Sequence, residues 1–166
     1  DAPTTGNKTL SATEDTAYIF SSDNFSFSDV EGDNISKVKI TTLESAGTLY
    51  VDADNDDTYD SGEDVTLNQE VAISNIANLQ FIAASNANGT SYATFGFKVS
   101  DGIAWSESAG TITINVAAVN DAPTAVNKTL SAAEDTVYTF SSSDFLFSDV
   151  DGDSISKIKI TTLENA

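Results

Sequence analysis

This chain starts again partway along. Asp1-Ala2-Pro3-Thr4 returns as Asp121-Ala122-Pro123-Thr124, a period of 120 residues. Residues 1–46 and 121–166 agree at 34 of 46 positions. Val119-Asn120-Asp121-Ala122-Pro123 is therefore a junction. Residues 1–120 read as one complete repeat, and residues 121–166 as the N-terminal third of a second, truncated one. Repeats of this kind stack end to end, each touching its neighbours. One period has the size of an ordinary domain with its own core, whereas 46 residues are too few for one. The partial repeat is thus expected either to continue into a longer chain or to take its contacts from elsewhere. In the second case the chain would be a filament subunit, joined to neighbouring subunits by strand exchange through its C-terminal partial repeat.

Within one period, apolar residues alternate with polar ones and helical spacing is hard to find. Asn7–Thr13 and Thr16–Phe20 read as two opening strands, and Phe25 and Phe27 continue the alternation. Further strands are expected around Val38 and Ile40, around Leu49 and Val51, from Val65 to Ile73, and around Leu79 and Phe81. Two more run through Phe95, Phe97 and Val99 and through Ile112, Ile114 and Val116. Asn86-Ala87-Asn88-Gly89 and Ser100-Asp101-Gly102 are turn strings. Seven or eight short strands rich in Thr, Val, Ile and Phe predict an all-β fold, an antiparallel β-sandwich of Ig-like type. Trp105 lies in the last hairpin, where a surface or edge position is expected.

Charge narrows the function classes. Seven lysines face 26 acids, for a net charge of −19. Such a polyanion repels nucleic acid and anionic membranes, and its self-repulsion strains the compact state. Multivalent cations would relieve that strain; a solvated acidic coat is the plainer reading. There is no histidine and no cysteine to serve as base, nucleophile or thiolate ligand, so the chain reads as a non-enzyme. No apolar run reaches the length of a membrane span.

The strongest local signal is an acidic loop. Counted from Asp52, the residues Asp52, Asp54, Asp56, Thr58, Asp60 and Glu63 fall at positions 1, 3, 5, 7, 9 and 12. That is the ligand spacing of an EF-hand calcium loop, in which a curled backbone turns every second residue inward and the last glutamate closes the oxygen shell. Position 6 is Asp57 where glycine is usual, and the flanks read as strands rather than helices. The competing reading is a merely solvated acidic hairpin.

Several strings occur in order: Glu14-Asp15-Thr16, Ser28-Asp29-Val30-Glu31-Gly32-Asp33, Gly47-Thr48-Leu49, Asn86-Ala87-Asn88-Gly89-Thr90 and Phe97-Lys98-Val99-Ser100-Asp101-Gly102. Thr111-Ile112-Thr113-Ile114-Asn115-Val116 then leads into the junction. As a set they resemble the bacterial cadherin-like tandem repeats of large surface adhesins. The resemblance implies calcium bound between repeats, an extracellular or bacterial cell-surface location, and adjacent repeats of the same chain as partners. It implies that Glu14, Asn120, Asp121, Asp149 and Asp151 hold ions at the joint between repeats. Asp29, Glu31 and Asp101, together with Asp1, would serve the joint preceding residue 1. The sequence departs from cadherins at Ser85-Asn86-Ala87-Asn88, where they carry an Asp-Arg-Glu string; amide oxygens there are weaker calcium ligands.

Three functions follow as expectations: a structural repeat of a calcium-stabilised adhesin stalk or surface filament; a sandwich that binds a surface glycan or protein; and the strand-exchanging subunit above. The tyrosines and Trp105 are scattered along the sequence, which argues against an aromatic sugar-binding platform.

Overall fold

A computed structural model of the chain describes residues 1–163. It divides into two compact units, Asp1–Val119 and Asn120–Ala166, each described by itself.

The first unit is all-β. Its strands are β1 (Lys8–Thr13), β2 (Tyr18–Ile19), β3 (Lys37–Thr42), β4 (Thr48–Val51), β5 (Glu70–Ala72), β6 (Leu79–Ile82), β7 (Gly89–Ser100) and β8 (Gly110–Ala117). Five of them form one sheet in the order β1-β8-β7-β3-β5, and three form another in the order β2-β6-β4. Alternation along each strand chooses its buried face. In β8, Ile112, Ile114 and Val116 are buried while the residues between them are partly open, the period-two pattern of a strand with one wet face. One core draws on both sheets: Val38, Ile40, Phe95, Phe97, Ile112 and Ile114 come from the larger, Leu49, Leu79 and Phe81 from the smaller. Phe20, just beyond β2, meets Phe95 edge-on with ring centroids 5.7 Å apart, a separation typical of aromatic pairs.

The structure corrects the strand assignment in three places. First, the sheets are not wholly antiparallel, because β1 runs parallel to β8 from Lys8↔Ile112 to Thr13↔Ala117. A parallel neighbour needs a long connection, and here most of the unit supplies it. Second, Phe25 and Phe27 lie outside any strand: a 3₁₀ turn at Ser22–Asn24 drops Phe25 into the core, where it meets Phe97 at 5.1 Å. Third, only Glu70–Ala72 of the stretch from Val65 to Ile73 forms a strand. Asn68 takes a left-handed φ of 65° and its amide donates to the Ile40 carbonyl, so the chain turns there and leaves Leu67 exposed. Trp105 is half-buried beside the sheet, with the Lys39 ammonium 4.2 Å from its ring centroid.

The second unit has β9 (Thr124–Val126) paired antiparallel with β10 (Leu146–Ser148), and a 3₁₀ turn at Ser142–Asp144. Among the described residues no helix is long and apolar enough to cross a membrane.

Candidate metal centre

The acidic loop leaves β4 at Val51 and returns beside it: the Val51 amide donates to the Glu63 carbonyl, and the Val65 amide to the Leu49 carbonyl. Residues 52–63 are thereby closed into a ring at the end of the smaller sheet. Asp52 anchors it. Its carboxylate is buried, accepting from the backbone amides of Asn55 at 2.7 Å, Asp56 at 3.3 Å and Asp57 at 3.1 Å. To curl around one carboxylate the backbone must turn tightly, and Asn55 and Asp57 both adopt left-handed conformations, with φ of 62° and 60°. Asp57 thus supplies at position 6 the backbone shape for which glycine is usual; aspartate is among the side chains that tolerate it.

Asp52 is also tied to the sheet from below. The Gln80 amide donates to Asp52 Oδ2 at 3.2 Å, and the Tyr50 hydroxyl donates to Gln80 Oε1 at 2.9 Å. Tyr50 and Gln80 are cross-strand partners in β4 and β6, both buried, and Tyr59 of the loop packs edge-on against Tyr50. Sequence reading missed these supports. Alternation places Tyr50 and Gln80 on the face opposite Leu49 and Phe81, and nothing in the sequence says that the loop folds back over that face. Asn78 adds a further brace, its side-chain amide donating to the Asp52 carbonyl and to Asn55 Oδ1.

Above this base the other carboxylates converge. Oxygens of Asp52, Asp54 and Glu63 lie within 4.8 Å of one another, and so do those of Asp54, Asp56 and Asp60. Asp54 belongs to both groups. Glu63 accepts from the amides of Ala53 and Asp60, which holds its two oxygens in place. Thr58 donates from its amide and its hydroxyl to Asp56 Oδ1, and these bonds hold Asp56 below the usual carboxylate range. Asp54 is pushed upward, by desolvation first and then by the charges of Asp56, Glu63, Asp52 and Asp60. This arrangement of hard oxygens around uncompensated charge can hold a metal ion.

The residues expected at the joints are distributed differently. Glu14 is buried in the first unit, with Oε1 accepting from the Val119 amide at 2.6 Å and Oε2 from the Asn88 side chain at 2.9 Å. Both oxygens therefore fasten the end of β8 and the Asn86–Gly89 turn. Asp29 Oδ1 accepts from the amides of Glu31 and Asp33, and Asp101 Oδ1 from those of Ile103 and Ala104. The Ala104 and Ile103 amides hold the Asp101 carboxyl below its ordinary value. Glu31 pairs with the Asp1 amino group at 2.9 Å, which lowers the Glu31 carboxyl; the same group also feels the charges of Asp29 and Asp101. In the second unit the Asn120 side chain donates to the Asp121 carbonyl, the Asp121 amide to Asp151 Oδ2 at 2.7 Å, and the Asp153 amide to Asp149 Oδ1. Among the described residues, the tight groups of three carboxylates occur only in the 52–63 loop.

No protein-family model, no curated protein and no solved structure matches this chain.

Proposed function

We propose that the chain is a structural repeat of an extracellular, calcium-stabilised adhesin stalk or surface filament, and that the first unit is a cadherin-like β-sandwich. The sandwich reading is supported by the single core drawn from both sheets. The observation that carries the calcium reading is the loop around Asp52, where Asp54 shares both groups of converging carboxylates. Calcium takes six to eight hard oxygens and tolerates irregular geometry, which a ring of carboxylates at alternate positions satisfies. The ion would neutralise the repulsion that raises Asp54 and would brace the end of the smaller sheet. The 120-residue period supports a partner that is an adjacent copy of the same repeat. The scarcity of lysine and the net charge of −19 support a surface that avoids nucleic acid and anionic lipid.

The test is calcium titration of the chelator-treated protein by calorimetry, beside thermal unfolding. Free calcium about tenfold above the dissociation constant stabilises by about 1.4 kcal/mol per site, which raises the melting temperature by a few degrees. Asp54→Asn removes a shared ligand whose side chain makes no hydrogen bond among the described residues, so the fold is retained and loop binding weakens at least tenfold. Identical isotherms for the two proteins would remove the loop from the proposal, and an absence of heat would remove calcium altogether.

A further inference from the structure

The Asn86–Gly89 turn that opens β7 carries a chemistry the metal centre does not use. Asn88 is followed by Gly89, whereas every other asparagine of the chain precedes a residue with a side chain. A side-chain amide can be attacked by the backbone nitrogen of the next residue, and the Cβ of that residue is what obstructs the approach. Gly89 has no Cβ, and the space a Cβ would fill is open, with no atom beyond its chain neighbours within 4 Å. Its φ of 149° is one that glycine adopts freely and other residues do not. Asn88 is exposed to the water that such a reaction consumes. Its Nδ2, the nitrogen that must leave, donates to Glu14 Oε2 at 2.9 Å. Glu14 is buried, and its other oxygen accepts from the Val119 amide.

We propose that Asn88 is a self-modification site, deamidated through a cyclic imide formed with Gly89, and that the reaction unfastens this turn from Glu14. The Gly89 nitrogen gives its proton to water and bonds to the Asn88 side-chain carbonyl carbon. The bond from that carbon to Nδ2 breaks, and Nδ2 takes a proton and leaves as ammonia. Water then opens the five-membered imide. Addition at the side-chain carbonyl gives aspartate; addition at the backbone carbonyl gives isoaspartate, in which the former side chain carries the main chain. No oxidant or reductant takes part, and the net change is one water consumed and one ammonia released. Either product replaces a donor with a carboxylate beside the buried Glu14 carboxylate. Two acceptors at that separation repel, so the contact that fastens the turn is lost. Isoaspartate also lengthens the main chain by one methylene next to Gly89, which is paired with Val116 of β8.

The test is to hold the folded chain in mildly alkaline buffer at physiological temperature and map its peptides over time by mass spectrometry. The expected result is the mass gain of NH2 exchanged for OH at residue 88 ahead of every other asparagine, with isoaspartate and aspartate both present. Asn88→Gln, whose longer side chain closes the ring far less readily, should stay unchanged over the same period. Asn88→Asp supplies the aspartate product directly and should lower the folding equilibrium constant roughly tenfold in chemical denaturation, as expected for loss of a hydrogen bond to a buried carboxylate. An unreacted residue 88, or another asparagine reacting first, overturns the proposal. Aspartate without isoaspartate overturns the imide step, and an Asn88→Asp variant as stable as the unsubstituted chain overturns the unfastening.

Discussion

Residues 8–13 form β1 along β8, whereas residues 128–133, identical at five of six positions, form no strand. Residues 37–42 form β3 between β5 and β7, whereas residues 157–162, again identical at five of six, form none. What survives in the second copy is what the repeated block (residues 1–46 and 121–166) makes with itself. The 3₁₀ turn recurs with its bracing contact: the Ser21 amide donates to Asn24 Oδ1, and the Ser141 amide to Asp144 Oδ2. Asp15 and Asp135 are both left-handed, with φ of 54° and 58°. Tyr18–Phe20 and Tyr138–Phe140 have the same 5.2 Å ring separation. The Thr4–Ser28 bridge returns as the β9–β10 pair. Even the contact between Glu31 and the Asp1 nitrogen returns as the Asp121 amide on Asp151. Turns, and contacts whose two partners both lie within the repeated block, are written in that block. A strand also needs a partner edge, and in the first unit the edges for β1 and β3 come from residues 47–119, outside the repeated block.

The largest expected contrast is at the core phenylalanine. Phe20→Ala is expected to cost about 3–5 kcal/mol in chemical denaturation, because it empties a site packed by Phe25 and Phe95. Phe140→Ala, at the equivalent exposed site, should fall within about 0.5 kcal/mol. Equal costs would mean that the second unit is packed after all. Next comes the buried glutamate. Glu14→Ala leaves the Val119 amide and the Asn88 side chain without their acceptor, a loss of about 1.5–3 kcal/mol, whereas Glu134→Ala should be silent.

A smaller contrast is at Lys39, which lies over Trp105 and pairs with Glu70 at 3.0 Å. Lys39→Ala should cost about 0.5–1 kcal/mol, and Lys159→Ala almost nothing, since Lys159 is exposed and makes no ion pair or ring contact among the described residues.

The smallest effects are those of acid titration. Asp54 is raised, so its favourable contribution is complete below the ordinary aspartate value and is lost as pH rises through the higher folded value. Asp101 is lowered, so its contribution is present above the ordinary value and is lost as pH falls through the lower folded one. Side-chain carboxyl NMR should show Asp54 titrating above Asp101, with calcium drawing Asp54 downward. If Asp54 does not move on adding calcium, the ion does not sit between its two carboxylate groups.

Much of the fold was legible in the sequence because alternation reports which face of a strand is buried. β3, β4, β6, β7 and β8 lie where Val38, Leu49, Phe81, Phe97 and Ile114 place them. The acidic loop was legible because a ligand ring needs only local spacing, and five of its six spaced residues belong to the two converging groups. Val65 to Ile73 misled because alternation continues through a left-handed turn at Asn68, closed by Thr66–Gln69 hydrogen bonds and fastened to the Ile40 carbonyl of β3.

The sequence by itself determined the 120-residue period, the turns that recur in both copies, the apolar side of each strand and the spacing of the loop carboxylates. Tertiary structure decided that β1 runs parallel to β8, that Tyr50 and Gln80 are buried beneath the acidic loop, and that Glu14 binds the end of β8. It also decided that one block of residues is a set of strands in one place and largely open chain in another. The physical reason is where the partners lie: torsions, turns and contacts made inside one block recur with it, whereas the pairing of β1 and β3 and the burial of the block's apolar face depend on surfaces supplied by residues 47–119.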